Sequence, residues 1–230
     1  MRLFLQLQNN SSNLKKKDNF LLMPLFYQHN INHTSKLAVW KITETEDFFL
    51  EKTVIKKEVM HPHKRLQHLA GRYLLQILEP EFPFDLIEIA ESRKPFLRND
   101  KYYFSISHCG DFAAAIVSEN KPVGIDVELV TPKIEKVKTR FLREDELALV
   151  PENKELPIFN HKLLTLFWSA KETIYKWHGK SRLSFKNNMS LNELIFENDE
   201  GYIIAQYIKE EKIDLKIQFK FFENLCLAWV

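Results

Sequence analysis

At 230 residues the chain has room for one large domain or two small ones sharing a core, and an apolar share of 45% with 18 Phe fits a globular interior. Five Gly and nine Pro exclude a fibrous or low-complexity chain, and 33 Lys+Arg against 31 Asp+Glu leave a net charge of +2, so bulk charge does not announce a nucleic-acid binder. Two cysteines are too few for a disulfide framework and no stretch reaches the roughly 18 apolar residues of a membrane span, so the expectation is a cytoplasmic protein with neither membrane nor nucleic acid as partner.

Leu3, Leu5 and Leu7 alternate with other residues and predict an opening strand, followed by a polar loop over 9–19 that carries Lys15, Lys16 and Lys17. Residues 36–42 read as a second strand, after which Thr43 or Thr45 is placed to cap a short acidic helix ending near Leu50. The first strong helix begins near Pro62. Leu66, Leu69, Ala70, Tyr73, Leu74 and Ile77 form one apolar stripe, and Pro80 and Pro83 end it. Its polar side carries His61, His63, Lys64, Arg65, His68 and Arg72: a solvated face, or one biased toward anions.

Residues 85–90 predict a strand and 91–95 a turn; 102–108 alternate as a half-buried strand, Gly110-Asp111 as a hairpin turn, and 112–118 as the returning strand. A further strand covers 124–128. Residues 141–149 predict a short helix, 151–157 a charged loop, and 160–177 a second long helix with Leu163, Phe167, Ala170, Ile174 and Trp177 on its buried side. The tail, 189–230, predicts an antiparallel meander broken at 198–201 and 223–224. Each half then offers one long helix with several strands, an α+β pattern.

Gly124-Ile125-Asp126-Val127-Glu128 organises the chemistry. Residues i and i+2 of a strand share a face, so Asp126 and Glu128 stand side by side while Ile125, Val127 and Leu129 face apolar packing. Adjacent carboxylates either lie on a solvated face or hold a cation, for which a hard divalent metal is the common solution. Glu172 points away from the buried stripe of its helix and is the candidate third member. Lys171 is adjacent to it, and Lys176 lies one turn on, either as an ordinary surface ion pair or as part of a phosphate site. Ser107 and His108 are neighbours on a strand and point to opposite faces, so they do not form a nucleophile–base couple. His108 is better cast as a donor to an anion or as a satisfied structural histidine.

Gly124-Ile125-Asp126-Val127-Glu128, followed later by Trp168-Ser169-Ala170-Lys171-Glu172 and Lys176, resembles the paired signature of the 4'-phosphopantetheinyl transferase superfamily: G-(I/V)-D-x-E, then (F/W)-x-x-K-E-x-x-x-K. Lys94-Pro95 and Ser107-His108 resemble the elements that precede the first motif, and the length is like that of the monomeric surfactin-synthetase-activating type, in which one chain forms two similar halves. The resemblance implies an N-terminal half over 1–119 on the coenzyme side and a C-terminal half over 120–230 with the carboxylates and long helix. It further implies transfer of the phosphopantetheine arm of coenzyme A to a serine of an apo acyl or peptidyl carrier protein, with release of 3',5'-ADP. Asp126, Glu128 and Glu172 would hold Mg2+; Glu172 would also help deprotonate the serine; Lys171 and Lys176 would neutralise phosphate charge. Lys94, Ser107 and His108 would contact the coenzyme, with Arg65 and Arg72 as looser candidates for its 3'-phosphate and adenine. Two readings from other classes compete with it: a non-catalytic relative that binds carrier protein or coenzyme A, and a metal-dependent phosphohydrolase, which would cleave coenzyme A with no carrier present.

Overall fold

The structure is a computed structural model that describes residues 25–53, 59–90, 94–98, 101–150, 157–179 and 183–230. The predicted strand at 3–7 and the lysine-bearing loop lie outside these residues, as do most of the 151–157 loop and part of the 91–95 turn.

Strand β1 (Leu25–Asn30) turns at Asn32, whose side chain accepts the Thr34 N–H at 2.8 Å, and returns as β2 (Ser35–Lys41). Helix α1 (Glu46–Leu50) starts after Thr45, which occupies the cap position without a side-chain capping bond. Pro62 opens helix α2 (Pro62–Leu78), where its missing N–H is no loss. The hairpin β3 (Ile87–Ile89) and β4 (Pro95–Leu97) leads to β5 (Tyr103–Cys109) and β6 (Phe112–Ser118), joined at Gly110. The first large sheet has the order β1-β2-β6-β5.

Next come β7 (Ile125–Leu129), α3 (Lys138–Phe141), α4 (Glu144–Leu147) and the long α5 (Pro157–His178). The single helix predicted over 141–149 is therefore two pieces. Leu142 and Arg143 are extended, and Arg143 caps α4 with Glu146 folding back onto its N–H. The meander β8 (Met189–Glu197), β9 (Glu200–Ile208), β10 (Lys212–Phe222) and β11 (Leu225–Trp229) pairs with β7 in the order β7-β11-β10-β9-β8. Asn198, Asp199 and Glu223 sit at positive φ in its tight turns, at the breaks expected from the sequence.

The strand period of two divides both sheets between two apolar layers. In the first sheet Ala38, Trp40, Ala113 and Ala115 face α2, while Leu37, Val39, Ala114 and Ile116 face a seam between the sheets. In the second sheet Cys226 and Ala228 face α5, while Ile125, Val127, Leu225, Leu227 and Trp229 complete the seam. The architecture is α+β, with each large antiparallel sheet covered by one long helix. Among the described residues no helix is long and apolar enough to cross a membrane.

The fit of α5 against β7 depends on Gly124. A Cβ there would stand 2.2 Å from the Thr173 carbonyl oxygen and 2.8 Å from the Trp177 amide nitrogen, and both obstacles are backbone. The glycine is also pinned to Val230 through both its N–H and its carbonyl. Gly124→Ala is expected to cost at least about 1–3 kcal/mol through overpacking, read as a lower urea midpoint.

Candidate active site

The site forms where the edge of one sheet meets the edge of the other, under α5. Alternate N–H groups of β7 point away from β11 and toward β5. Side chains of β5, rather than backbone carbonyls, receive them. Ser105 Oγ accepts from Ile125 N–H at 3.3 Å, Ser107 Oγ from Val127 N–H at 3.2 Å, and Cys109 Sγ from Leu129 N–H at 3.4 Å. The two strands run in the same direction with a constant offset of 20 residues.

Asp126 and Glu128 fall on the face of β7 toward α5. Asp126 is buried; its Oδ1 accepts from Ser107 Oγ at 2.9 Å and from Lys176 Nζ at 2.6 Å. Lys176 Nζ also donates to Ser107 Oγ at 2.8 Å. Glu128 Oε1 accepts the Trp168 indole N–H at 3.2 Å, a contact that the sequence reading did not include although Trp168 lies in the second motif. Trp168, Glu172 and Lys176 are spaced by one helical turn each and so share one face of α5.

Three carboxylates near one another repel. Burial first, then the Asp126 charge, raises the Glu128 carboxyl above its ordinary value. The same two causes lift Glu172 to about 7, with Glu128 adding and Lys176 opposing. Asp126 Oδ2 is buried with no hydrogen-bond partner, an unfavourable state for a carboxylate oxygen. Among the described residues no three acidic, His or Cys side chains already converge as a metal cage. The donor chemistry nonetheless fits a hard divalent cation: hard carboxylate oxygens, one of them orphaned, and excess negative charge that Lys176 only partly offsets.

Cationic groups gather on the other side. The His108 ring meets His68 edge-on at 5.1 Å, and burial, then His68 and Lys176, pushes its pKa down to about 4. Ser107 and His108 thus face opposite ways, Ser107 toward β7 and His108 toward α2. Lys94 Nζ donates to the Lys176 carbonyl oxygen, and burial lowers its pKa to about 8. Burial likewise lowers Arg72.

Three of the expected site residues are engaged elsewhere. Lys171 does not face a phosphate. It is fully buried on the opposite side, with its three N–H donors on Glu146 Oε2 at 2.6 Å and on the Phe141 and Phe185 carbonyls, each at 2.9 Å. Ser107 is not an open coenzyme contact, because its one donor and two acceptor positions are all taken by Asp126, Val127 and Lys176. Arg65 is held by both oxygens of Glu46, at 2.6 and 2.8 Å, and by the Val59 carbonyl.

Comparison with known proteins points in one direction. The model of the 4'-phosphopantetheinyl transferase superfamily matches residues 122–230. Enterobactin synthase component D of Escherichia coli (strain K12) is 34% identical over 167 residues, which cover 71% of this chain and 77% of that protein. The 4'-phosphopantetheinyl transferase gsp of Aneurinibacillus migulanus is 31% identical over 149 residues, 64% of this chain and 59% of the relative. The 4'-phosphopantetheinyl transferase psf-1 of Bacillus pumilus is 32% identical over 99 residues, 41% and 40% of the two chains.

Two outcomes follow from the geometry. Lys171→Met takes the ammonium from the buried Glu146 carboxylate, leaving it Arg143 Nη1 at 3.6 Å and the N–H groups of Arg143 and Leu191, and is expected to cost about 3 kcal/mol, whereas Lys171→Met with Glu146→Gln, which keeps an acceptor for those N–H groups, recovers part of the loss; urea titrations of both variants check this. For His108, the unfolded ring titrates near 6.5 and the folded one near 4, so the unfolded chain takes up the proton first as pH falls. Its contribution is intact above pH 6.5 and lost progressively down to pH 4. His108→Asn should therefore lose up to about 3 kcal/mol less stability over that window than the wild type.

Proposed function

The chain belongs to the 4'-phosphopantetheinyl transferase superfamily, and on that premise we propose that it moves the phosphopantetheine arm of coenzyme A onto a serine of an apo acyl or peptidyl carrier protein in an Mg2+-dependent reaction. The observation that carries this reading is the cluster of buried Asp126 with half-buried Glu128, Glu172 and Lys176 at the seam, bordered by His108 and Lys94.

In the proposed reaction the serine oxygen forms a bond to the pantetheine-bearing phosphorus. The bond from that phosphorus to the bridging oxygen breaks, and 3',5'-ADP leaves with the electron pair. Such a transfer needs positioning and charge stabilisation more than covalent help. Asp126, Glu128 and Glu172 would hold Mg2+, which when bound would supply charge neutralisation at the pyrophosphate. Lys176, which partners Asp126 in this structure, is within reach to turn toward phosphate oxygens as negative charge develops on the leaving group. Lys94 adds a second ammonium. His108, neutral near pH 7, contributes an N–H donor without adding charge. In this reading Glu172 also takes up the serine proton, directly or through a water. This reading assigns Arg72 on α2 to the coenzyme's 3'-phosphate and adenine.

The same reading divides the chain into halves at 119/120, with coenzyme A on the N-terminal side, and has it act as a monomer. The two free cysteines suit the cytoplasm.

The test is the intact mass of an apo carrier protein after incubation with coenzyme A and Mg2+. The expected result is a gain of one phosphopantetheine arm, abolished by chelator and slowed by at least about a hundredfold in Glu172→Ala. Coenzyme A binding with no gain across several carriers would favour a non-catalytic binding protein, and cleavage of coenzyme A with no carrier present would favour a hydrolase.

A further inference from the structure

The side-chain rungs between β5 and β7 repeat a pattern that the reaction does not by itself require. Ser107 takes the N–H of Val127 and donates to the carboxylate of Asp126, the residue just before it. Cys109 takes the N–H of Leu129, where the residue just before is Glu128, a second carboxylate. Ser105 takes the N–H of Ile125, where the preceding residue is Gly124 and there is no carboxylate to meet. We propose that Ser107 and Cys109 are positioning residues that hold the Asp126 and Glu128 carboxylates in the orientation the metal needs, while Ser105 serves the strand junction alone. This rests on the transferase reading above.

The chemistry of each rung supports the division. Ser107 uses its single proton on Asp126 Oδ1, and its two lone pairs meet Val127 N–H and Lys176 Nζ. A hydroxyl saturated in this way cannot rotate without breaking a buried contact, so Asp126 is locked with Oδ2 left open. Cys109 holds the Leu129 N–H, and with it the strand beside Glu128, through a weaker group. Groups that orient metal ligands in this manner shift metal affinity or activity by about 10–100-fold when removed.

The experiment compares Ser105→Ala, Ser107→Ala, Cys109→Ala and Cys109→Ser in the full chain. Three quantities are measured: the affinity for Mn2+ alone by electron paramagnetic resonance, the binding of 3',5'-ADP in chelator, and kcat and KM for coenzyme A. Ser107→Ala should weaken Mn2+ binding and lower kcat, each about tenfold or more, with KM and 3',5'-ADP affinity held within about twofold. Cys109→Ala should follow with a smaller loss, and Cys109→Ser should restore wild-type values because a hydroxyl also accepts the Leu129 N–H. Ser105→Ala should lower the melting temperature without moving Mn2+ affinity or kcat.

The proposal is overturned if Ser107→Ala keeps wild-type Mn2+ affinity and kcat, or if Ser105→Ala depresses both as strongly as Ser107→Ala does. A Ser107→Ala variant that loses 3',5'-ADP binding with Mn2+ binding intact also overturns it, since Ser107 would then touch the coenzyme directly. Failure of the premise looks different. Wild-type protein that shows the Mn2+ pattern but modifies no carrier removes the transferase reading and supports the positioning role, whereas wild-type protein that transfers the arm with no divalent cation sinks the positioning role and keeps the transferase.

Discussion

The arrangement depends on how an exposed strand edge is satisfied when it becomes buried. Strand β7 pairs with β11 on one side and presents three N–H groups on the other, two of them on residues with no solvent exposure at all. Left without acceptors, each would carry a desolvation penalty of about 1–3 kcal/mol. A backbone ladder with β5 would meet the need and merge the two sheets into one. Instead β5 extends Ser105, Ser107 and Cys109 as acceptors, which keeps the strands a side chain apart and the sheets distinct. The spacing this creates is where Asp126, Ser107 and Lys176 meet. The site is a consequence of a junction closed by side chains rather than backbone.

That junction also explains why the site holds charge so uncomfortably. The layer beneath it is apolar, built from Leu37, Val39, Ile116, Leu225 and their neighbours, so the buried Asp126 cannot lean on water for solvation, and Glu128 and Glu172 do so only in part. Lys176 partners one oxygen of Asp126, Trp168 one oxygen of Glu128, and the remaining repulsion appears as raised Glu128 and Glu172 carboxyls. The same burial works in the opposite sense on His108, which faces α2, and on Lys94, beside the end of α5, driving both toward their neutral forms. Anionic and cationic groups are thus each destabilised in the absence of a ligand that carries the complementary charge. Perturbed groups of both signs beside one seam are a functional signature, because stability alone selects against them. The overall charge of +2 hides this completely.

Much of the fold was legible because its two periods are clean. The strand at 112–118 and its turn at Gly110-Asp111 follow from alternation and turn chemistry, and the breaks of the C-terminal meander follow from Asn198-Asp199 and Glu223-Asn224. The carboxylate pair and its helix partners were legible from spacing. What was not legible are contacts between segments far apart in sequence. The 141–149 stretch reads as one helix by composition, but Glu146 is drawn into the core by Lys171 and Leu191 N–H, and that pull places the helix start at Arg143. The rungs from β5 were visible only as Ser, Ser and Cys at alternate positions of a strand, the same signal that any half-polar strand gives.

Lys171 shows where sequence reasoning about the second motif misjudged its geometry. Trp168, Glu172 and Lys176 lie a turn apart and look toward the seam, while Lys171 is displaced by about 100° around the helix and looks into the core with Leu164, Phe167 and Ile174. A lysine at such a position reads as a phosphate ligand only if charged side chains are assumed to face water. Here its ammonium binds Glu146 and two carbonyls from the segments before and after α5, which fixes the roll of the helix about its axis. A helix free to roll by even a fraction of a turn would carry Glu172 and Lys176 away from Asp126 together. The buried pair therefore reaches the chemistry through orientation: one charge of the motif anchors the helix so that the others can face the site.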